Sequence, residues 1–406
     1  MAEKFRDRLI SFLGLNTSIL AMMIMVVFIG LGEKMAERFL PVYIIAIGGS
    51  IYAVSILNGL DNLLSALYSL PGGYLSDRIG YKKALIVFTL TAMFGYAIVI
   101  FVPTWQAVII GAIFFISWTS ISLPAIMSMV SSITARDKRI MGVTIHSLTR
   151  RIPMALGPII GGIVITSYGN VQGIKIAFSA ALLLGFFAII FIHFLMKEPV
   201  REKEPKKFNA ADVIKNINPN LRTLLVSDIL IRFAEQIPYP FVVIWVMSIN
   251  GFSAAQFGIL TAIEMATAMI VYLPVAYFAD RGSKKPYIVI TFAFFAIFPL
   301  ILCFAKSFEL LIAAFIIRGL KEFGEPTRKA LITELAPEDM KAAMFGAYYF
   351  TRDIFVSIAA FSAAFLWVIS PYVNFIAAFA FGLIGTIYFG LFGKNFHMPQ
   401  TGKHAN

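Results

Sequence analysis

Twelve apolar stretches, each long enough to cross a hydrocarbon layer, follow one another along this chain. They cover roughly 17–46, 52–76, 83–102, 105–134, 141–168, 174–196, 221–248, 253–279, 286–305, 309–334, 341–369 and 371–393. A helix needs about 20 apolar residues to span the bilayer core. Inside lipid every backbone polar group must be satisfied internally, which leaves helices or closed barrels. Apolar and polar residues do not alternate with the period of two that a barrel needs. The reading is an all-α membrane protein with twelve transmembrane helices, several long enough to tilt. Composition agrees: only 14% of residues are charged, against about a quarter in soluble domains. A soluble single-core enzyme is thereby excluded, and 39 Phe with 15 Tyr exclude a disordered chain. The first stretch carries Glu33, Lys34, Glu37 and Arg38 and lacks a small-residue cleavage site, so it is expected to stay rather than be removed as a signal peptide. The one cysteine, Cys303, excludes an intrachain disulfide, and four His leave no zinc site of the usual spacing. No cofactor and no metal are expected.

A net charge of +12 would suit nucleic acid, but its placement points elsewhere. Lys and Arg crowd one set of connections: Lys4, Arg6 and Arg8; Arg78, Lys82 and Lys83; Arg136, Lys138 and Arg139; the segment 197–222; Arg281, Lys284 and Lys285; Lys329 and Lys341; and Lys394 with Lys403. The opposite set holds Lys175 and Lys306. By the positive-inside rule both termini are cytoplasmic. The expected address is the plasma membrane, and no nucleic-acid partner is needed. The longest polar segment, 197–220, reads as a cytoplasmic linker between a six-helix bundle at 1–196 and another at 221–406.

The two bundles repeat each other. Segment 67–83 matches 270–285, placing Asp77 opposite Asp280 at an offset of 203. The same offset pairs Asp61 with Glu264. Pro124 matches Pro326, Thr149-Arg150 matches Thr351-Arg352, and Ala36-Glu37 matches Ala234-Glu235. The loop after the second helix runs Gly73-Tyr74-Leu75-Ser76-Asp77-Arg78-Ile79-Gly80-Tyr81-Lys82-Lys83. With the two halves and the basic linker, it resembles the major facilitator superfamily, whose signature differs by a basic residue where Tyr81 stands. In the second half Ala276 replaces the first glycine and the loop is one residue shorter. The resemblance implies that Gly73, Asp77, Arg78, Gly80 and Lys82, with Asp280 and Arg281, latch the cytoplasmic side in the outward-open state. Physically, Gly73 allows close helix approach, Asp77 can accept hydrogen bonds from Arg78 or a facing helix N-terminus, and Gly80 permits a tight reversal. In the fifth helix Gly157-Pro158-Ile159-Ile160-Gly161-Gly162 resembles the core of the motif found in facilitator antiporters. Thr144 and Pro153 stand where its longer version has glycines.

Ionisable groups inside a membrane are costly and usually face a cavity. Here nine acids accompany nine bases within the spans, a balance that suggests paired networks rather than a pore of one sign. Asp228, Arg232 and Glu235 share one face of the seventh helix. Arg318, Lys321, Glu322, Glu325 and Arg328 form a stripe on the tenth, and Glu33 with Glu37 one on the first. Rise arithmetic puts Asp61 and Glu264 near the midplane and Arg328 near the cytoplasmic end, as a loop anchor. Pro41, Pro238 and Pro240 should break helices where substrate binds. The substrate and proton pathway is therefore expected at Glu33, Glu37, Arg38, Asp61, Arg232, Glu235, Glu264, Arg318, Glu322 and Arg352. Tyr43, Tyr239, Phe241, Trp245, Tyr348 and Tyr349 are candidate pocket aromatics. The fourth helix lacks the arginine of many proton antiporters.

No nucleotide-binding loop is present, so the function expected is secondary transport of a small solute by alternating access, coupled to protons. The fifth-helix motif favours export. The alternatives are uptake or uniport of an organic anion or metabolite through Arg38, Arg232, Arg318 and Arg352, or a non-transporting receptor on the same fold. An enzyme is not expected. The partners expected are a small-molecule substrate, H+ and the lipid bilayer, with the chain acting as a monomer. The topology is directly testable: a tag inserted in 197–220, or at either terminus, is expected to react only from the cytoplasmic side. Labelling of that linker from outside intact cells would refute the arrangement.

Overall fold

The computed structural model describes residues 17–116, 118–133, 139–198, 217–279, 283–337 and 341–394. Among these the regular secondary structure is helical, and helix occurs in each of the twelve apolar stretches. In the first half α1 spans Thr17–Glu37, α2 Leu40–Ala46, α3 Ile51–Ile79, α4 Tyr81–Phe101, α5 Trp105–Phe115 and α6 Trp118–Ile133. The run Arg139–Leu195, α7, holds two spans joined at Gly169, whose φ of 80° is open to glycine and bends the chain back. In the second half α8 spans Pro219–Gln236, α9 Ala254–Ala279, α10 Lys284–Leu302, α11 Phe308–Leu320, α12 Glu325–Leu335, α13 Lys341–Ile369 and α14 Pro371–Phe392. Eight helical stretches among the described residues are long and apolar enough to cross a membrane by themselves. Others, such as α11 with α12, are divided by a break.

Local chemistry sets the boundaries. The side chains of Ser50, Thr104, Asn218 and Ser307 accept from backbone N–H groups at the starts of α3, α5, α8 and α11, replacing bonds a helix cannot make for itself. Pro219 and Pro371 stand in first turns, where a missing N–H costs nothing. Gly80, at φ 96°, makes the sharp joint between α3 and α4.

The chain packs as two compact units: Met1–Pro205 with Val246–Ala262, and Lys206–Trp245 with Ile263–Asn406. In the first, α1 lies along α7, α3 packs on α6, and α4 packs on α5 and α7. A Cβ on Gly95 would stand 2.5 Å from the Gly111 carbonyl oxygen, so α4 and α5 touch backbone to backbone. Tyr96, Phe115 and Phe178 fill the space beside that crossing. In the second unit α8 packs on α13 and α14, and α10 packs on α14. The core there runs from Leu221 and Leu224 through Phe292 to Phe389.

Both units invert the soluble pattern. Phe101, Phe194, Ile270, Ile369 and Leu391 are among many large apolar side chains that stand exposed. Glu33, Asp228, Glu264, Lys284, Arg318 and Arg328 are buried. Apolar atoms outside and charge inside fit a hydrocarbon solvent.

The seventh span is broken after α8. Tyr239–Phe241 tighten into a 3-10 turn and Trp245–Ile249 widen into a π-helical stretch. The Phe241 N–H bonds Pro238 O rather than the Ile237 carbonyl that a regular helix would use. Asn374, fully buried in α14, takes over: its Nδ2 donates to Ile237 O at 3.2 Å and to Ala363 O at 3.1 Å. Asn374→Leu, similar in bulk, is expected to leave the Ile237 carbonyl bare, whereas Ala363 O keeps its place in the regular helix α13. Each orphaned buried group costs about 1–3 kcal/mol, so the denaturation midpoint of the purified protein should fall clearly with helix content unchanged. An unchanged midpoint would remove this role.

Candidate functional site

A ladder of alternating charges runs through the second unit. Its upper cluster joins three elements. Lys321, in the turn after α11, places Nζ 2.8 Å from Glu235 Oε1 on α8 and 3.2 Å from Glu264 Oε1 on α9. Arg318, in the last turn of α11, brings Nε to 3.3 Å from the same Glu264 oxygen. Arg232 is the link downward. Its Nη1 donates to Glu235 Oε2 at 2.5 Å, while Nε and Nη2 lie 3.8 Å from Asp228 and Glu325. In the lower cluster Arg328 bonds Asp228 and grips both oxygens of Glu325, at 2.7 and 3.0 Å. Tyr348 donates its hydroxyl to Asp228 at 3.0 Å. Arg352 approaches Asp228 at 3.6 Å, pairs with Asp353 at 2.6 Å and stacks on Tyr349 at 4.3 Å.

This arrangement follows from a second helix break. Backbone bonds tighten across Arg318–Phe323, with Lys321 and Phe323 bonding back three residues. Gly324 donates to Thr291 Oγ1, and Pro326 opens α12. The break separates the two ends of the charge stripe: Arg318 and Lys321 meet Glu264 of α9, with Lys321 also reaching Glu235 at the end of α8, while Glu325 and Arg328 meet Arg232 and Asp228 earlier on α8. Glu322 stays half-buried in the turn. Arg328 is thus no loop anchor. It is 1% exposed and central to the lower cluster, because rise along one straight helix ignores a break that moves the chain inward. Lys284, counted with the loop charges, is likewise buried and paired with Glu334.

Beside the upper cluster lies a narrow cleft lined by Glu235, Tyr239, Phe294, Phe295, Phe298, Arg318 and Lys321. The sequence reading named Tyr239 but missed the three phenylalanines, which come from α10, a helix without charge in its apolar stretch. Phe241 and Trp245 instead belong to the core: Phe241 stacks on Trp367 at 4.5 Å and Trp245 meets Phe375 edge-on. Tyr43 is buried in the first unit.

In the first unit Lys34 bridges Glu33, at 3.0 Å, and Glu37. Arg38 is half-buried at the end of α1. Asp61, midway along α3, is half-buried and is joined to no other described residue by a hydrogen bond or ion pair. Around the α3–α4 loop, Gly80 makes the turn and Arg78 is exposed. The Glu198 carboxylate accepts from the N–H groups of Tyr81 and Lys82, at 2.6 and 3.0 Å, and Lys82 Nζ donates to His193 O at 2.6 Å. Gly73 and Asp77 belong to α3, but their surroundings lie outside the described residues, as do Asp280 and Arg281 entirely. The fifth-helix motif is a joint. A Cβ on Gly161 would stand 1.9 Å from Met35 O, Gly157 abuts Lys34, Gly162 faces Ala254 O, and the Pro158 carbonyl faces Gly258.

The chain matches the Major Facilitator Superfamily over residues 22–225 and again over 224–403. It belongs to that superfamily, whose members are transporters rather than enzymes. It is 21% identical to an uncharacterized MFS-type transporter of Methanocaldococcus jannaschii, covering 85% of this chain and 87% of that protein. It is 25% identical to a multi-drug resistance efflux pump PmrA homolog of Lactococcus lactis, covering 78% and 80%. The nucleoside transporter NupG superposes with a TM-score of 0.79 at 12% identity, over 93% of this chain and all of that one. A bacterial homolog to the human lysosomal transporter Spinster gives 0.75 at 13%, over 92% and 96%. At these identities the structures speak for the fold.

Breaking a buried ion pair on one side strands the other charge, at a cost of about 3–5 kcal/mol. Arg328→Gln is expected to destabilise the protein on that scale. Adding Asp228→Asn should recover part of the loss, as read by a double-mutant cycle of denaturation midpoints. Additive losses would show that the two side chains are not coupled.

Proposed function

We propose that this membrane transporter exports a small organic solute by alternating access, driven by protons, as a monomer in the plasma membrane with both termini cytoplasmic. The observation that carries the proton coupling is Asp61. A carboxyl group at mid-span is expensive to keep charged without an ion pair, and Asp61 makes none with a described residue; Lys34 and Arg38, with Glu33 and Glu37, act on it only at longer range. A proton can come and go there without an ion pair having to break. Glu235, its counterpart in cost but not in setting, already holds Lys321 and Arg232. Its part is to exchange partners along the ladder as the solute arrives. Glu33, Glu37 and Arg38 complete the first-unit pathway. The second-unit pathway comprises Arg232, Glu264, Arg318, Glu322 and Arg352.

Export is supported by the likeness to the efflux pump homolog and by the tight glycine joint of Gly157, Gly161 and Gly162 with Pro158. The cytoplasmic latch at Gly73, Asp77, Arg78, Gly80 and Lys82, with Asp280 and Arg281, switches access between the two sides.

The test is flux in proteoliposomes under an imposed pH gradient. Wild type is expected to move solute uphill, and Asp61→Asn to lose uphill movement while still exchanging solute across the membrane. Solute flux indifferent to the gradient, with Asp61→Asn behaving as wild type, would leave facilitated uniport as the reading.

A further inference from the structure

We propose that the second-unit cleft binds the head of an organic anion, a carboxylate or similar oxyanion on an apolar body, and that Arg318 is the residue that recognises it. The inference rests on the transporter reading and adds the class of solute.

Arg318 is nearly buried, yet Glu264, whose Oε1 comes within 3.3 Å of Nε, is its one ion-pair partner among the described residues. Its Nη1 and Nη2 hydrogen-bond to no other described residue. A guanidinium presents a planar fork of donors that matches the two oxygens of a carboxylate. Here the outer edge of that fork is left over at a cleft it helps to line. Three rings hold its plane: Phe298 at 5.0 Å, and Tyr239 and Phe315 at 5.6 Å each. Stacking on aromatic faces replaces lost hydration for a cation. It also fixes the direction in which the free donors point.

The acids of the cleft are committed differently. Glu235 is held by both Lys321 and Arg232, and Glu264 lies between Arg318 and Lys321. A cationic solute would have to displace one of these bases and would meet three of them, Arg232, Arg318 and Lys321, at close range. An anion meets an arginine with donors to spare and a lysine that can shift toward it. Phe294, Phe295 and Phe298 supply the apolar wall for the rest of the molecule. The cleft encloses about 10 Å³ as it stands, the room of about one water. The body therefore enters as these phenylalanine side chains give way, and occupancy favours a state in which they have moved.

The probes are three molecules of one skeleton: naphthoate, naphthylmethanol and naphthylmethylamine. Binding to the purified full-length protein is read by equilibrium dialysis without any gradient. Naphthoate is expected to bind about tenfold or more tighter than the alcohol and the amine, the scale of one charge-assisted contact. Arg318→Lys keeps a positive charge beside Glu264 but loses the fork, and should weaken naphthoate about tenfold. Arg318→Gln combined with Glu264→Gln removes the pair together, avoids a stranded charge and should abolish the preference. The proposal is overturned if the amine or alcohol binds as tightly as naphthoate, if naphthoate does not bind, or if Arg318→Lys binds it as wild type does. Because no gradient is used, the two readings fail separately. Naphthoate binding without pH-driven flux removes proton coupling and keeps the anion site. pH-driven flux of amines with no carboxylate binding does the reverse.

Discussion

A charge inside a hydrocarbon layer must have a partner, and the second unit is built around that requirement. Its buried acids and bases sit on α8, α9, α10, α13 and either side of the α11–α12 break, and no single helix contains a complete set of partners. Asp228 alone gathers Arg328, Tyr348 and Arg352 from two other helices. Removing any of these helices would strand a charge, so the ion pairs determine which helices are neighbours as firmly as apolar packing does. In lipid, apolar packing is the weaker guide, because the solvent is as apolar as the side chains.

The same pairs give the site its capacity for change. A dry, fully satisfied network would be rigid, but Arg232 touches three acids at once, two of them at 3.8 Å. Partners at that distance exchange with little loss of Coulomb energy, so a new charge can enter the ladder without leaving an old one bare. The helix breaks at residues 237–241 and 321–324 lie beside this cluster for a reason. A broken helix frees carbonyls and N–H groups that must be satisfied elsewhere, and Asn374 and Thr291 do so from neighbouring helices. The breaks are therefore held open by design of the surrounding core, and they bring Tyr239 and Lys321 to the cleft.

The first unit solves a different problem. Its charges are fewer, and close backbone contact organises much of its packing: Gly95 on Gly111, and Gly157 and Gly161 on α1. Such joints leave no room for a side chain and so admit few alternative registers. Against that rigid background Asp61 makes no ion pair with a described residue. The repeat that relates it to Glu264 by sequence conceals an opposite setting, since Glu264 is enclosed by Arg318 and Lys321. Duplication supplied the same kind of residue twice, and each half then surrounded it differently.

The sequence alone determined the helical class, the twelve spans, the internal repeat and the superfamily, because each depends on local properties: apolar length, spacing and a loop motif. It also marked most of the ladder, since a charge in an apolar run is conspicuous. It named Arg232, Glu235, Glu264, Arg318 and Arg352 for the site, yet passed over Asp228, Glu325 and Lys321 as site residues and misjudged Arg328. The phenylalanine wall was invisible, because one phenylalanine among 39 carries no signal of its neighbours. Which acid meets which base, which are left with spare donors, and which carboxyl stands without an ion pair were decided only by the tertiary structure. Coulomb energy depends on distances across helices, and those distances are set by breaks and packing that no spacing along one helix contains.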